Sequence, residues 1–236
     1  MLSPHARNEW LTIIVIGLLL STSMLMIIWW LVPPILLLTV ALVLFFRDPN
    51  REVPTQRGAV TAPADGRISS IHQVDHFQPF DGPATCVRIF LSVLDVHINR
   101  SPCHGQVVSI THKPGQHLNA MNPDSAEVNE SVLTVMVHPI RQYPLAAVRQ
   151  VAGLLARTIV CTLREQQVVQ RGERMGLIKL GSTTELYLPN DLSPQITVQE
   201  GQRVYAGLTV LANIASKNAP ENVTADQDET QPQASP

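Results

Sequence analysis

Residues 10–46 carry no charged side chain, and no other feature limits the fold of this chain as strongly. One straight helix of that length would measure about 55 Å, far more than the roughly 30 Å hydrocarbon core of a bilayer. Pro33 and Pro34 divide the run into residues 11–32, long enough to span, and residues 35–46, short for a full crossing. Trp29 and Trp30 beside the prolines suit a turn at a membrane interface. Arg7 precedes the run, and Arg47, Arg51 and Arg57 follow it. Positive charge at both ends predicts a helical hairpin at the cell membrane, with residues 1–9 and everything after residue 46 on the cytoplasmic side. The apolar stretch is too long for a cleaved signal peptide, and no small-residue cleavage site ends it.

Beyond residue 46 the pattern changes to short strands and turns. The whole chain has 236 residues and a net charge of −2, with no basic stripe, so a nucleic-acid partner is not expected. Its three cysteines, Cys86, Cys103 and Cys161, fit neither a disulfide framework nor a CxxC zinc site, which points to a reducing compartment. The histidines show no HExxH spacing, and no metal is expected. "GAVTAPADGRISSI", "ATCVRIFLSV", "GQVVSITHKPG" and "SVLTVMVHP" read as strands, the first broken by the Asp65-Gly66 turn signal. "AAVRQVAGLLARTIVCTL" fits a helix or a strand pair; its arginines share no helical stripe, so strands are expected. No βαβ alternation or phosphate-loop glycine pattern occurs. "QQVVQRGERMGLIKL" and "ITVQEGQRVYAGLTVLANI" echo one another and resemble the barrel-sandwich hybrid of lipoyl and biotinyl domains. The expected fold is therefore mainly β, a barrel-sandwich-like domain over residues 47–214 behind the hairpin at residues 10–46. The polar, proline-containing tail at residues 215–236 is expected to be disordered.

"MGLIKLGSTTELYLP" raises a separate question. It reads as one strand, yet Gly181 removes side-chain packing in its middle and Ser182, Thr183 and Thr184 follow with hydroxyls. Strand glycines usually mark a bulge or a close backbone approach. Asp65 alone reads as part of an ordinary Asp-Gly turn, and His97 alone as a strand-end filler. An Asp, a His and a Ser in separate segments can form an orienting carboxylate, a base and a nucleophile, but chains of this size hold many such triples. Lys179 lacks the hairpin context of a lipoylated or biotinylated lysine.

In order and spacing, "FFRDPNREVP", "APADGRI", "LSVLDVHINRSPCHG", "HKPGQHLNA", "QVAGLLARTIVCTL", "VVQRGERMGLIKLGS" and "YLP" resemble the short form of phosphatidylserine decarboxylase, over residues 45–214. The resemblance implies a proenzyme of phospholipid biosynthesis that cleaves itself between Gly181 and Ser182 and converts Ser182 into a covalent pyruvoyl group. Gly181 would let the Ser182 hydroxyl approach the preceding carbonyl; β-elimination and hydrolysis then leave the pyruvoyl and ammonia. His97 is the expected base, with Asp65 orienting or charging it. The ketone would form a Schiff base with the amine of phosphatidylserine and take up the electron pair left by carbon dioxide, giving phosphatidylethanolamine. The two fragments would stay together as a heterodimer, with room for a higher oligomer.

The longer forms of that family have a second histidine three residues after the first, where Arg100 stands here. His97 is therefore expected to serve both maturation and turnover. Arg100, Lys113 and Arg157 are candidates for gripping the lipid phosphate. Two other readings fit less: a membrane-anchored adaptor of a transport complex leaves Gly181-Ser182 and the His97 segment unexplained, and a serine hydrolase would need a GxSxG elbow.

Overall fold

The computed structural model describes residues 2–25, 28–116, 128–153, 159–178 and 182–214. The apolar run forms two helices, α1 (Arg7–Leu25) and α2 (Val32–Phe45), joined through a short 3-10 turn at Trp29–Leu31. The turn falls at Trp29 and Trp30, as the sequence suggested, and Pro33 and Pro34 sit in the first turn of α2. That position needs no amide hydrogen, so a proline opens a helix there at no cost in hydrogen bonds. Residues Pro4–Leu25 are long and apolar enough to cross a bilayer, whereas the Trp29–Phe45 stretch is shorter. The helices meet closely at Gly17, where a Cβ would lie 2.3 Å from Thr39 Oγ1. Leu19 and Leu37 point outward, as a lipid-facing surface requires. At the open end, the Ser3 amide donates to the Phe46 carbonyl at 2.8 Å, and Leu2 bridges to Arg47. Both ends of the hairpin therefore lie together.

Among the described residues, fourteen strands follow. They are β1 (Ala59–Thr61), β2 (Gly66–Phe77), β3 (Gly82–Leu91), β4 (Ile98–Arg100), β5 (Gly105–Lys113), β6 (Ser131–Val137) and β7 (Pro144–Val151). The rest are β8 (Ile159–Cys161), β9 (Val168–Val169), β10 (Arg174–Ile178), β11 (Ser182–Pro189), β12 (Gln195–Ile196), β13 (Arg203–Val204) and β14 (Val210–Asn213). The large sheet runs β13-β2-β3-β11-β7-β6-β5-β9; two small ones run β1-β14-β12 and β4-β10-β8. Along β3, Val87, Ile89 and Leu91 join the main core with Leu186, Leu188 and Val148, while Cys86 joins a smaller cluster on the other face. This is the period-2 alternation of a sheet. Met175, Val204 and Leu211 belong to the same core. The mainly β domain behind a hydrophobic hairpin is the fold expected, and the ambiguous segment at residues 146–163 carries strand β7 at one end and β8 near the other, as expected.

One expectation fails in a useful way. "MGLIKLGSTTELYLP" is not one strand with a bulge. β10 lies in a small sheet between β4 and β8, whereas β11 lies in the large sheet between β3 and β7. The chain changes sheets between Ile178 and Ser182. Gly181 itself, with Lys179, Arg157 and residues 215–236, lies outside the described residues.

Candidate active site at Ser182 and His97

Ser182 is the first residue of β11 and pairs with Leu91, the last of β3. It is fully buried, and among the described residues its Oγ has no hydrogen-bond partner; nor has Thr183 Oγ1. Leaving a buried hydroxyl unpaired costs about 1–3 kcal/mol, so such atoms call for an explanation in function. Below them runs a buried amide network. Asn99 Nδ2 donates to Thr184 Oγ1 at 3.1 Å and to the Pro63 carbonyl at 3.3 Å. Gln150 Nε2 donates to Asn99 Oδ1 at 2.8 Å, and among the described residues Gln150 Oε1 has no partner. The network ties β4, β7 and β11 together two residues beyond Ser182.

His97 is buried at the entry to β4. Its Nδ1 lies 2.9 Å from the Asp95 carbonyl oxygen, so Nδ1 carries the hydrogen and Nε2 is the basic nitrogen. Burial lowers the imidazole pKa to about 4; the Asp95 hydrogen bond and charge oppose this, the Arg47 charge adds to it, and the Asp65 charge opposes it least. The ring is therefore neutral at pH 7. Phe45, the last residue of α2, covers it with ring centroids 4.4 Å apart. The His97 carbonyl accepts from the Ile178 amide at 3.2 Å. With Ser182 paired to Leu91, Ile178 and Ser182 are thus both fastened to one stretch, residues 91–97. This fastening brings Ser182 and His97 to the same end of the domain.

Asp65 is not hydrogen-bonded to His97. Its two carboxylate oxygens accept from Arg51 Nη1 at 2.6 Å and Nη2 at 2.8 Å, and Oδ1 also accepts from the Ala206 amide at 2.8 Å. The atom that orients His97 is the Asp95 carbonyl, and Asp65 reaches it through its charge. Gly66 explains the Asp-Gly pair: its φ is +155°, and a Cβ there would lie 2.1 Å from the Phe90 carbonyl oxygen. No bulkier residue fits where β2 starts against β3.

Arg100 is committed elsewhere. It pairs with Asp48 at 2.7 Å and donates to the carbonyls of Gly172 and Pro49, each at 3.0 Å. Asp48 also pairs with Arg174. The residue standing in for a second histidine is thus a buried clamp between the end of the hairpin and β10, not a hand for phosphate. Lys113 ends β5, opposite Ser131. The Cys86 and Cys103 thiols are pushed up to about 12, chiefly by burial, which makes them poor nucleophiles. Among the described residues no group of three His, Cys, Asp or Glu side chains could hold a metal. Asn99, Gln150, Asp95, Arg51 and Phe45 are the residues that sequence reasoning missed. Only Asn99 left a signal: in "HIN" it stands two residues after His97, on the same face of the chain.

The family described as phosphatidylserine decarboxylase matches residues 38–212. The chain is 38% identical over 227 residues to the phosphatidylserine decarboxylase proenzyme of Wolbachia sp. subsp. Brugia malayi (strain TRS), covering 94% of this chain and 97% of that protein. It is 44% identical over 168 residues to the proenzyme of Rhodopirellula baltica, covering 71% and 69% of the two chains. With that of Chlorobium phaeobacteroides it shares 37% over 219 residues, or 91% of this chain and 100% of the relative.

Proposed function

Because this chain belongs to the phosphatidylserine decarboxylase family, we propose that it is a proenzyme that cuts itself between Gly181 and Ser182 and carries a pyruvoyl group at position 182. The observation that carries this reading is the buried, unpartnered Ser182 hydroxyl at the point where the chain changes sheets. His97 Nε2 takes the hydroxyl proton, and Oγ attacks the preceding carbonyl carbon as the peptide nitrogen becomes a free amine. Elimination across the Cα–Cβ bond then releases the Gly181 carboxylate, and water replaces the nitrogen, which leaves as ammonia.

The site fits the group: position 182 is fully buried, and the Ser182 hydroxyl that would be consumed in forming the group leaves no hydrogen bond behind among the described residues. A pyruvoyl group supplies a ketone that condenses with the substrate amine and accepts the electron pair left by carbon dioxide. The chain contributes the rest. Phe45 and the core exclude water, the Asp95 carbonyl holds the imidazole, and His97 returns a proton to the substrate α-carbon once it has taken one up. The closed hairpin, with Arg7 and Arg47 at its base, keeps the site at the cytoplasmic face of a membrane, where phosphatidylserine is reached without leaving the bilayer. The two fragments remain one folded unit, because β10 and β11, on either side of the cut, are both paired within sheets.

A transport-complex adaptor would have no use for a buried, unpaired serine. Intact-mass analysis of the purified protein, together with release of labelled carbon dioxide from phosphatidylserine, tests the proposal. A single uncut mass, or a free serine amine at the new terminus, would overturn it.

A further inference from the structure

We propose that the turn at residues 92–95 is a second membrane contact, with Val93 and Leu94 seated in the interfacial layer of the bilayer beside His97. This rests on the membrane-bound decarboxylase reading above and adds the surface that orients the domain on the lipid.

The two central positions of a tight turn usually hold glycine, asparagine, aspartate or serine. Here they hold Val93 and Leu94, which are 47% and 78% exposed. Single exposed apolar residues are ordinary, but an adjacent pair at the tip of a fixed turn is a presented surface. The turn is rigid. Asp95 N donates to the Ser92 carbonyl at 3.0 Å, and Asp95 Oδ2 accepts from both Ser92 N and Ser92 Oγ at 2.9 Å. Arg203 pairs with the other carboxylate oxygen. Ordering the turn in advance lowers the entropy that insertion would otherwise cost.

Its position names the occupant. Arg47, the residue after the end of the hairpin, donates to the Leu94 carbonyl and, from its other amine, to Leu44 in α2. The tip of the turn therefore stands within one side chain of the point where the apolar hairpin leaves the membrane. Val96, just past the turn, is buried with Ala6, Ile98 and Leu177, and Trp10 and Phe46 pack against them. The flanks of the turn are thus sealed to the base of the hairpin while its tip is left bare. The bare surface is continuous with helices whose outward residues are apolar, and a lipid interface is the partner that covers both. Ile140 offers a contrast: it is 83% exposed, but in the turn between β6 and β7, at the end of the large sheet away from Ser182.

A hairpin alone tethers the domain but leaves it free to tilt. A second contact beside His97 would turn the Ser182 end toward the lipid headgroups. The full chain, carrying Cys161→Ala to remove its half-buried thiol, is labelled with an environment-sensitive fluorophore at Leu94→Cys or Ile140→Cys. Both are reconstituted in phosphatidylcholine–phosphatidylserine vesicles containing lipid with a nitroxide near the top of the acyl chain. The label at position 94 should be strongly quenched and that at 140 should not. Equal quenching at both positions, or none at 94, overturns the proposal. So does a label at 94 that is shielded from water but untouched by the lipid nitroxide, which would mean that another copy of the chain covers the turn.

The paired variant Val93→Ser/Leu94→Ser gives the functional readout. Turnover of bilayer phosphatidylserine should fall about tenfold, mainly through KM, as expected for losing part of an apolar interfacial contact. Turnover of short-chain phosphatidylserine below its micelle concentration should be unchanged. Unchanged bilayer turnover, or an equal fall on both substrates, overturns the inference. Wild-type protein inactive on both substrates would instead sink the decarboxylase reading, and the quenching result would still decide whether the turn meets lipid.

Discussion

The ring of Phe45 lies 4.4 Å from the imidazole of His97, centroid to centroid, and is tilted by 39°. The last residue of α2 is thus part of the wall that keeps His97 out of water, so the apolar hairpin and the candidate site share a contact.

Removing that wall should change how His97 titrates. With the pKa lowered to about 4, mainly by burial, self-cleavage of wild-type precursor should hold steady from pH 7 to about pH 5 and fall as pH drops through 4. In Phe45→Ala, water reaches the ring, the pKa rises toward the model-peptide value near 6.5, and the acid limb moves up with it. Stability follows the same shift. The unfolded chain takes up the proton first, so the native state loses stability as pH falls from about 6.5 to about 4. Cleavage time courses of freshly translated precursor across this range provide the check; coincident limbs for the two proteins would refute the role given to Phe45.

His97→Ala removes the imidazole itself. Arg100 cannot replace it, since its guanidinium is held by Asp48 and stays protonated. Both self-cleavage and decarboxylation should slow, each by roughly 10²–10⁴-fold. Cleaved His97→Ala protein with normal turnover would restrict His97 to maturation.

Ser182→Ala should abolish cleavage and activity while leaving the fold intact. Because the wild-type hydroxyl is buried without a partner, the precursor should unfold at the same temperature as an uncleaved wild-type sample or higher. A gel showing two fragments from this variant would end the assignment.

The Arg51–Asp65 pair separates structure from catalysis. Both side chains are about 5% exposed, so Asp65→Asn leaves an uncompensated buried guanidinium and should cost about 3–5 kcal/mol in unfolding experiments. Replacing both, as Arg51→Met with Asp65→Leu, should recover most of that stability. If the stable double variant also matures normally, Asp65 serves the fold; if it stays uncleaved, the charge of Asp65 on His97 is needed.

Asn99→Ala breaks the link from Gln150 to Thr184 and leaves more buried groups unpaired. It should lower stability by about 1–3 kcal/mol and slow cleavage further than that loss explains, because β11 is then less firmly held behind Ser182. Rates measured well below the unfolding temperature, alongside a neutral surface variant of equal stability, distinguish the two effects.

The apolar run, the alternating strands and the position of His97 at a strand end are all legible from the sequence. Each is local: apolar length reports a span, and period-2 alternation reports which residues share a face. Alternation says nothing about which sheet a strand joins, so the change of sheet between Ile178 and Ser182 was read as a bulge in one strand. Nor does composition record the partner of a charge. The sequence links Asp65 to His97 as an orienting or charging group, yet its carboxylate is hydrogen-bonded to Arg51 and reaches His97 only through its charge, and Arg100 pairs with Asp48, 52 residues away in the chain. Asn99 meets Thr184 across 85 residues and Gln150 across 51. The sequence determined the parts: an apolar hairpin and a set of alternating strands. Only the tertiary structure decided which buried polar groups meet, because those pairings are set by the stacking of strands far apart in the chain and by the need to satisfy each group removed from water.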